Sequence, residues 1–506
     1  MEAVILNECS EVTTEWKRIC HNRSFVAPLL RMTELVMINE CFYIKDQWRS
    51  YTTMRLVWGA GREGINMSGN FKEPADTARG VWNKDTIAEI DYKASAGKHR
   101  IRGCATPRVM PSFDDLMILP GQMTRMTVDT YREDCETRTV LGKRFAKKPL
   151  VIETPVMIAG MSYGALSKEA KTALAKATRL VGTVISNGEG GILPEELENS
   201  YRQSIQVLAS RMGFTRRNLE VADMLEFVYG IGAKPGLSGH LMGSKISPEV
   251  AELRKIPIGI DLHSHPRSGD AFGADDMVVK MEQIRELTNF EIPIFVKIAA
   301  GRVREDVKIA VKLGIDGIII DGCQAGTGAA PVMATDHLGI PTMPALVQAV
   351  RALEEMGVKD EVSLIASGGI KDGADLAKAL AIGADAVAIG TSAMVAMGCR
   401  VCMRCHTGKC AFGIGTQDPE QRKNLDIDEA AQRVANYITA MTNEAVLLAK
   451  AAGKSKLKNM EREDLRALTL EAAAMTGIPL VGSDLVIGQG FGFTATQGNG
   501  GGCSCV

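Results

Sequence analysis

The chain has 506 residues, 59 of them basic and 60 acidic, for a formal charge of −1. That balance gives no general electrostatic reason to bind nucleic acid or an anionic membrane. The opening "MEAVILNECSEVTTEWKRIC" lacks a basic start followed by a long apolar run, and nowhere do about 18 apolar residues run unbroken, as a membrane span requires.

The expectation is therefore a soluble protein that is not exported. Its twelve cysteines are mostly scattered, unlike the dense framework of a small secreted domain, so clustered thiols point to metal or redox chemistry in a reducing cytoplasm.

Residues 1–106 hold all four tryptophans and show little periodicity; they are read as an N-terminal extension of unknown role. Within them "RLVWGAGREGIN" sets Gly59, Gly61 and Gly64 at G-x-G-x-x-G spacing. A dinucleotide fold needs a helix to open there, and "INMSGNFKEP" has no helical period, so a nicotinamide site is not expected.

From about Lys148 short β-branched runs alternate with amphipathic stretches. The runs are "PLVIETPVMIAG", "VGTVIS", "IPIFVKIAA", "GIDGIIIDG", "EVSLIASGG" and "ADAVAIGT"; Ser167 to Leu180 and Asp372 to Ile382 carry apolar residues at three- and four-residue steps. Strands apolar on both faces suit a parallel sheet covered by helices, either a closed eight-fold barrel or an open doubly wound sheet. Gly with Ser or Thr follows each of the last two strand candidates, where backbone amides can hold a phosphate, as in (β/α)₈ barrels. An α/β fold of (β/α)₈ type is expected over 107–425, although the same glycines also suit tight βα turns. Past Asp426 the stretches "DIDEAAQRVANYITAMTNEAVLLAKAAG" and "EREDLRALTLEAAAMTG" are helical by period, giving C-terminal helices over 426–480, and 481–506 is a glycine-rich tail expected to be mobile.

The sharpest local signal is "GCRVCMRCHTGKCAFG", with Cys399, Cys402, Cys405 and Cys410 in a twelve-residue loop. Such spacing lets several thiolates face one small object and favours an iron–sulfur cluster. Structural zinc more typically takes two C-x₂-C pairs set farther apart, or such a pair with histidines; His406 keeps zinc open. His263 and His265 in "DLHSHPRSGD" are read as a polar loop, since no third metal ligand is evident, and Cys323 as a small loop residue.

"GCRVCMRCHTGKCAFGIGTQ" resembles the cluster loop of the glutamate synthases, whose C-x₅-C-x₄-C pattern falls on Cys399, Cys405 and Cys410 and holds a [3Fe–4S] centre; Cys402 is extra, a fourth ligand for a [4Fe–4S] cluster or a bystander. "PVMIAGMSYGALSKEAKTALAKA", "GEGGILPEE", "GAKPGLSGHL", "DGCQAGTGAAP", "SGGIKDGADLAKALAIGADAVAIGT" and "TQDPEQR" follow in the order of the family's FMN domain. "IRGCATPRVMPSFDDLMILPGQMTR" and "TLEAAAMTGIPL" are more similar to the separate catalytic subunits of archaeal-type glutamate synthase and N-methylglutamate synthase than to the large fused enzyme.

The resemblance implies FMN phosphate on the amides of Gly368, Gly369, Gly390 and Thr391 with Ser367 nearby. It also implies Met161 and Ser162 along the isoalloxazine, Ser186 and Gln324 among the cofactor contacts, and Lys297 near the flavin N1/C2 edge. For the substrate it implies Lys234 as carboxylate partner, with His240 beside it, and Glu189 facing the arriving amine. Ile231, Leu237, Ser238 and His240 depart from the family's 2-oxoglutarate stretch, and Ile185, Ser186 and Asn187 replace its "SNT".

The function implied is reductive amination of 2-oxoglutarate to glutamate by ammonia. The alternatives are an N-methylglutamate synthase using methylamine and a non-catalytic flavin and iron–sulfur electron-transfer subunit. With its first thiol at Cys9, the chain shows no glutaminase with an N-terminal cysteine nucleophile, so a glutaminase-like subunit and an electron-donor subunit or ferredoxin are the expected partners.

Overall fold

A computed structural model of the chain describes residues 80–483, apart from positions 238, 268, 270 and 272, together with residue 486. The chain divides into two compact units, residues 1–87 and 88–506, and the second holds the barrel. Residues 88–106, assigned to the extension on composition, thus belong with the barrel. The Gly59–Gly64 motif lies outside the described residues, as does most of the glycine-rich tail.

Eight parallel strands close on themselves in sequence order: β1 (Val156–Ile158), β2 (Val184–Ser186), β3 (Arg202–Leu208), β4 (Met224–Val228), β5 (Ile294–Ala299), β6 (Gly317–Asp321), β7 (Ser363–Ser367) and β8 (Ala386–Ile389), with β8 pairing back to β1. Around them lie α1 (Lys168–Val181), α2 (Pro194–Asn199), α3 (Arg216–Val221), α4 (Ala274–Leu287), α5 (Val303–Lys312), α6 (Thr342–Glu355), α7 (Gly373–Ile382) and α8 (Thr391–Ala396). Helix boundaries follow local chemistry: Ser167 accepts from the Ala170 amide at the start of α1, Gly182 ends it at φ 72°, and Asp372 accepts from the Asp375 amide at the start of α7.

The six apolar runs account for six of these strands. The run "PLVIETPVMIAG" splits, its first half forming Leu150–Ile152, which pairs antiparallel with Thr139–Leu141 outside the barrel sheet. β3 and β4 are not apolar on both faces, because Gln203, Ser204, Gln206 and Glu226 interrupt them; all four are buried.

The floor of the barrel is apolar. Phe295, Met157, Val184, Met224, Ile319 and Ile365 share a cluster with Leu141, Leu150 and Ile152 of the antiparallel pair, which plugs the N-terminal end. Phe295 is accommodated because β6 begins with glycine: a Cβ on Gly317 would fall 2.1 Å from the ring. Outside, Asp316, fully buried, accepts from the Phe145, Ala146 and Ile294 amides and from Arg285 at 2.9 Å, tying α4, the β5 start and the floor segment together.

Beyond the barrel α9 (Ile427–Ala451), capped by Asp426, lays Ala430, Val434, Ile438 and Met441 into the same core as α1 and α7. "EREDLRALTLEAAAMTG" is not the continuous helix its period predicts. Leu465–Ala467 is a strand paired with Leu116–Ile118, and a helix starts only at Leu470, where Thr469 caps it. A distant strand partner overrides local propensity there.

Candidate active site

At the C-terminal end of the barrel the inward positions, which alternate along each strand, turn from apolar to polar. Glu226 sits at the centre. It accepts from Ser186 at 2.9 Å, Ser204 at 3.3 Å and Gln206 at 2.7 Å. Lys297 points at it, 3.9 Å from Glu226 Oε1 and 3.5 Å from Asp321 Oδ2. Burial opposes the Lys297 ammonium, but the Asp321 and Glu226 carboxylates outweigh it and hold its pKa above the ordinary lysine value. The barrel mouth therefore carries a fixed cation with one carboxylate oxygen, Asp321 Oδ1, buried without a hydrogen-bond partner.

Over this layer opens a cavity of about 620 Å³, within the range of small-molecule and cofactor sites. On one side it meets the loops after β7 and β8. Gly368 and Gly369 have φ 103° and 77°, which favour glycine, and a Cβ on Gly369 would crowd Gln324 at 2.9 Å. α8 starts at Gly390 with no side-chain cap, leaving first-turn amides for another acceptor. Met161, Ser162, Ser367 and Thr391 line the same space.

On the other side lie the loops after β2, β3 and β4. The Gly232 amide donates to Asp321 Oδ2 at 2.9 Å, and a Cβ at 232 would fall 1.9 Å from the Gly322 carbonyl, so the turn carrying Lys234 is held against the loop after β6. Lys234 is 3% exposed and donates to the Ala329 carbonyl at 2.7 Å. Burial pulls its pKa down to about 8, with Glu189 opposing.

Glu189 joins three loops. Its amide donates to Ser162 at 3.0 Å, and its Oε1 accepts from Ser210 at 2.8 Å and Ser264 at 2.6 Å. His240 and His263 pair across a short antiparallel ladder, their rings stacked 4.2 Å apart. Burial, with His263 and Lys234 nearby, pushes His240 down to about 4, so its ring is neutral at ordinary pH, and its Nε2 is buried without a partner.

A family model described as "Conserved region in glutamate synthase" matches residues 108–455. A "Glutamate synthase large subunit-like protein" of Rhizobium meliloti is 45% identical over 421 residues, covering 80% of this chain and 95% of that protein. An "Archaeal glutamate synthase [NADPH]" of Methanocaldococcus jannaschii is 40% identical over 77% of this chain and 82% of its own length. The chain belongs to the glutamate synthase family. It is, with them, a glutamate synthase-like oxidoreductase.

Set against this family's pattern, the implied site residues mostly converge. Glu189, Lys234, His240, Met161, Ser162, Lys297, Gln324, Ser367, Gly368, Gly369, Gly390 and Thr391 all line the one cavity, as do Cys399, Cys402, Cys405 and Cys410. Ser186 does not: its hydroxyl is turned to Glu226 beneath the cavity floor. Gln324 lines the wall with its amide already engaged, donating to the Pro111 carbonyl and accepting from the Thr342 amide. Ser238 lies outside the described residues. His263, read as part of a polar loop, stacks on His240, and His265 reaches the cavity wall.

The glycine loops, the cation of Lys297 and the cavity's size fit a phosphorylated flavin lying across the barrel mouth. The cysteine loop fits a cluster of iron and sulfide. Cys399, Cys405 and Cys410 are partly buried and Cys402 is exposed. The buried Lys245 donates to the Ala165 carbonyl at 2.8 Å and the Cys405 carbonyl at 3.1 Å, bringing a cation beside the thiols. The contact with Cys104 and the nearby Lys245 ammonium hold the Cys405 thiol below its ordinary value against burial, while the same contact and burial push the Cys104 thiol up.

No local pattern in the sequence assigns a role to Gln206, Glu226, Asp321, Lys245 or Cys104. The first two leave a trace only as polar residues interrupting the strand-like runs "YRQSIQVL" and "MLEFVY".

Proposed function

We propose that this chain is the flavin- and iron–sulfur-bearing catalytic subunit of a glutamate synthase, acting in the cytoplasm. It would condense ammonia with 2-oxoglutarate and reduce the resulting imine to glutamate. The observation that carries the reading is the continuity of one cavity from the glycine loops of Gly368 and Gly390, past Lys234 and Glu189, to Cys399, Cys405 and Cys410.

FMN, held by the amides of Gly368, Gly369, Gly390 and Thr391, supplies two-electron hydride chemistry when bound. The chain's own residues do the rest. Lys234 meets a substrate carboxylate as a point charge. His240, neutral, offers a hydrogen bond without competing for that carboxylate. Glu189, fixed by two serines, marks the side where the amine enters. Lys297, charged and enclosed, stabilises negative charge developing at the barrel mouth. Condensation releases one water, and the imine then takes up a hydride and a proton.

A cluster held by Cys399, Cys405 and Cys410 would supply one-electron chemistry, with a donor subunit or ferredoxin as electron source and a glutaminase-like partner as ammonia source. The test is anaerobic. Protein loaded with FMN, iron and sulfide is reduced, then mixed with 2-oxoglutarate and either ammonium or methylamine. Flavin reoxidation with formation of glutamate supports the reading. N-methylglutamate formation selects methylamine as the amine, and absence of reoxidation with either amine overturns the catalytic assignment in favour of an electron-transfer subunit.

A further inference from the structure

Cys104 lies 301 positions before Cys405 in sequence, yet their sulfurs are 3.9 Å apart. This approach is built in by neighbouring contacts. Ile101–Arg102 pairs antiparallel with Ala330–Pro331, and Arg102 forms an ion pair with Asp336. The next amides continue toward the cluster loop: Gly103 N–H donates to the Met403 carbonyl at 3.0 Å and Cys104 N–H to the Thr327 carbonyl at 2.7 Å. A Cβ on Gly103 would stand 2.9 Å from the Cys405 Cβ and 3.1 Å from its Sγ, so only glycine lets the segment come this close.

Cys104 itself adopts φ 62°, a left-handed conformation costly for a residue with a side chain, and is 1% exposed. Strain of that kind persists where surrounding structure over-determines it, and it collects at functional sites. By contrast Cys402, the residue that spacing alone offers as a fourth ligand, is exposed, between Val401 and Met403 at φ 51° and 59°.

We propose that Cys104 is the fourth thiolate of the cluster site, together with Cys399, Cys405 and Cys410, and that the centre held is [4Fe–4S], with Cys402 outside the ligand set. Four cysteine thiolates are the ordinary complement of such a cluster. Ligation takes the proton from each thiol, and the buried ammonium of Lys245 offsets part of the accumulated negative charge. The ligand set would thereby stitch the segment preceding the barrel to the loop following its last strand.

This inference rests on the iron–sulfur reading above, and the experiment separates the two. The full chain and its Cys104→Ser and Cys402→Ser variants are loaded anaerobically with ferrous iron and sulfide, then examined by metal and sulfide analysis, Mössbauer spectroscopy and EPR. Melting of the unloaded proteins checks folding. The parent and Cys402→Ser should carry about four irons per cluster, whereas Cys104→Ser should lose one and give the EPR signal of an oxidised three-iron centre, with an unloaded melting temperature like the parent's.

A three-iron centre in the parent that Cys104→Ser leaves unchanged overturns the inference while keeping the cluster. So does loss of the fourth iron in Cys402→Ser with Cys104→Ser unaffected, or a Cys104–Cys405 disulfide in the loaded protein. Failure of every form to take up iron and sulfide overturns the cluster reading itself, and this inference with it. If Cys104→Ser fails to fold, Cys104→Ala is measured in its place by the same criteria.

Discussion

Replacing Lys297 by methionine removes the positive charge that faces Glu226 and Asp321 at distances of 3.9 and 3.5 Å. At an effective dielectric of about 20 each contact is an attraction of about 4–5 kcal/mol before desolvation is set against it. Breaking a buried ion pair by removing one partner costs about 3–5 kcal/mol net, chiefly because the remaining charge is stranded. Unfolding entropy near 2.1 cal/mol/K per residue gives about 0.9 kcal/mol/K for the unit of residues 88–506, so Tm should fall by about 3–6 °C.

The loss should be partly reversed in Lys297→Met/Asp321→Asn, since Asp321 Oδ1 has no hydrogen-bond donor for the new amide to displace. Calorimetry of the unloaded proteins reads both changes. A single variant melting within about 1 °C of the parent, or a double variant no better than the single, would refute the idea that the cation is held in place by those carboxylates. The pH dependence has a definite sign: because the folded pKa of Lys297 is raised, its stabilising contribution is complete below the unfolded value of about 10.4 and is lost only as pH rises beyond it. In flavin-loaded protein the same substitution should lower the flavin midpoint potential, measured by dye-coupled titration, because the anionic reduced form loses its cation.

Lys234→Met should raise the KM for 2-oxoglutarate at least about tenfold, a loss of about 1.4 kcal/mol, with a smaller change in kcat. With a free-enzyme pKa of about 8, the carboxylate-binding ammonium is present below that pH, so kcat/KM in the parent should fall as pH rises through about 8; a flat profile from pH 7 to 9 would count against this role. Gly369→Ala forces a side chain to φ 77° and into Gln324 at 2.9 Å, and should weaken FMN retention, read by flavin fluorescence after gel filtration. Asp316→Ala strands Arg285 and three backbone amides and should cost about 3–5 kcal/mol of stability in urea, with the flavin absorption of whatever protein remains folded unchanged. Gly317→Ala drives a methyl to 2.1 Å from the Phe295 ring, an overpacking that should cost about 1–3 kcal/mol.

Much of the site was legible because its parts are backbone features or charges at strand ends. Glycines needing left-handed φ at 368 and 369, Lys297 at the end of an apolar run, and cysteines three to eleven positions apart each leave a local mark in the sequence. The residues that leave no such mark are those whose neighbours are distant. Glu226 reads as an awkward acid in a β-rich run; only closure of the barrel gives it donors from β2 and β3 and a cation from β5. Ser186, assigned to the cofactor by resemblance, is drawn beneath the floor by that same carboxylate.

The sequence by itself determined the β/α alternation, the parallel sheet it demands and the cluster of thiols in one loop, because periodicity and short spacings fix which side chains share a face or a turn. Tertiary structure alone decided that "EREDLRAL" supplies a strand for Leu116–Ile118 instead of a helix, and that His240 stacks on His263. It also brought Cys104 to 3.9 Å from Cys405 across 301 positions. Contacts between chemically ordinary residues far apart in sequence carry no local pattern; they exist only once the chain's packing has excluded water and left each group one set of neighbours.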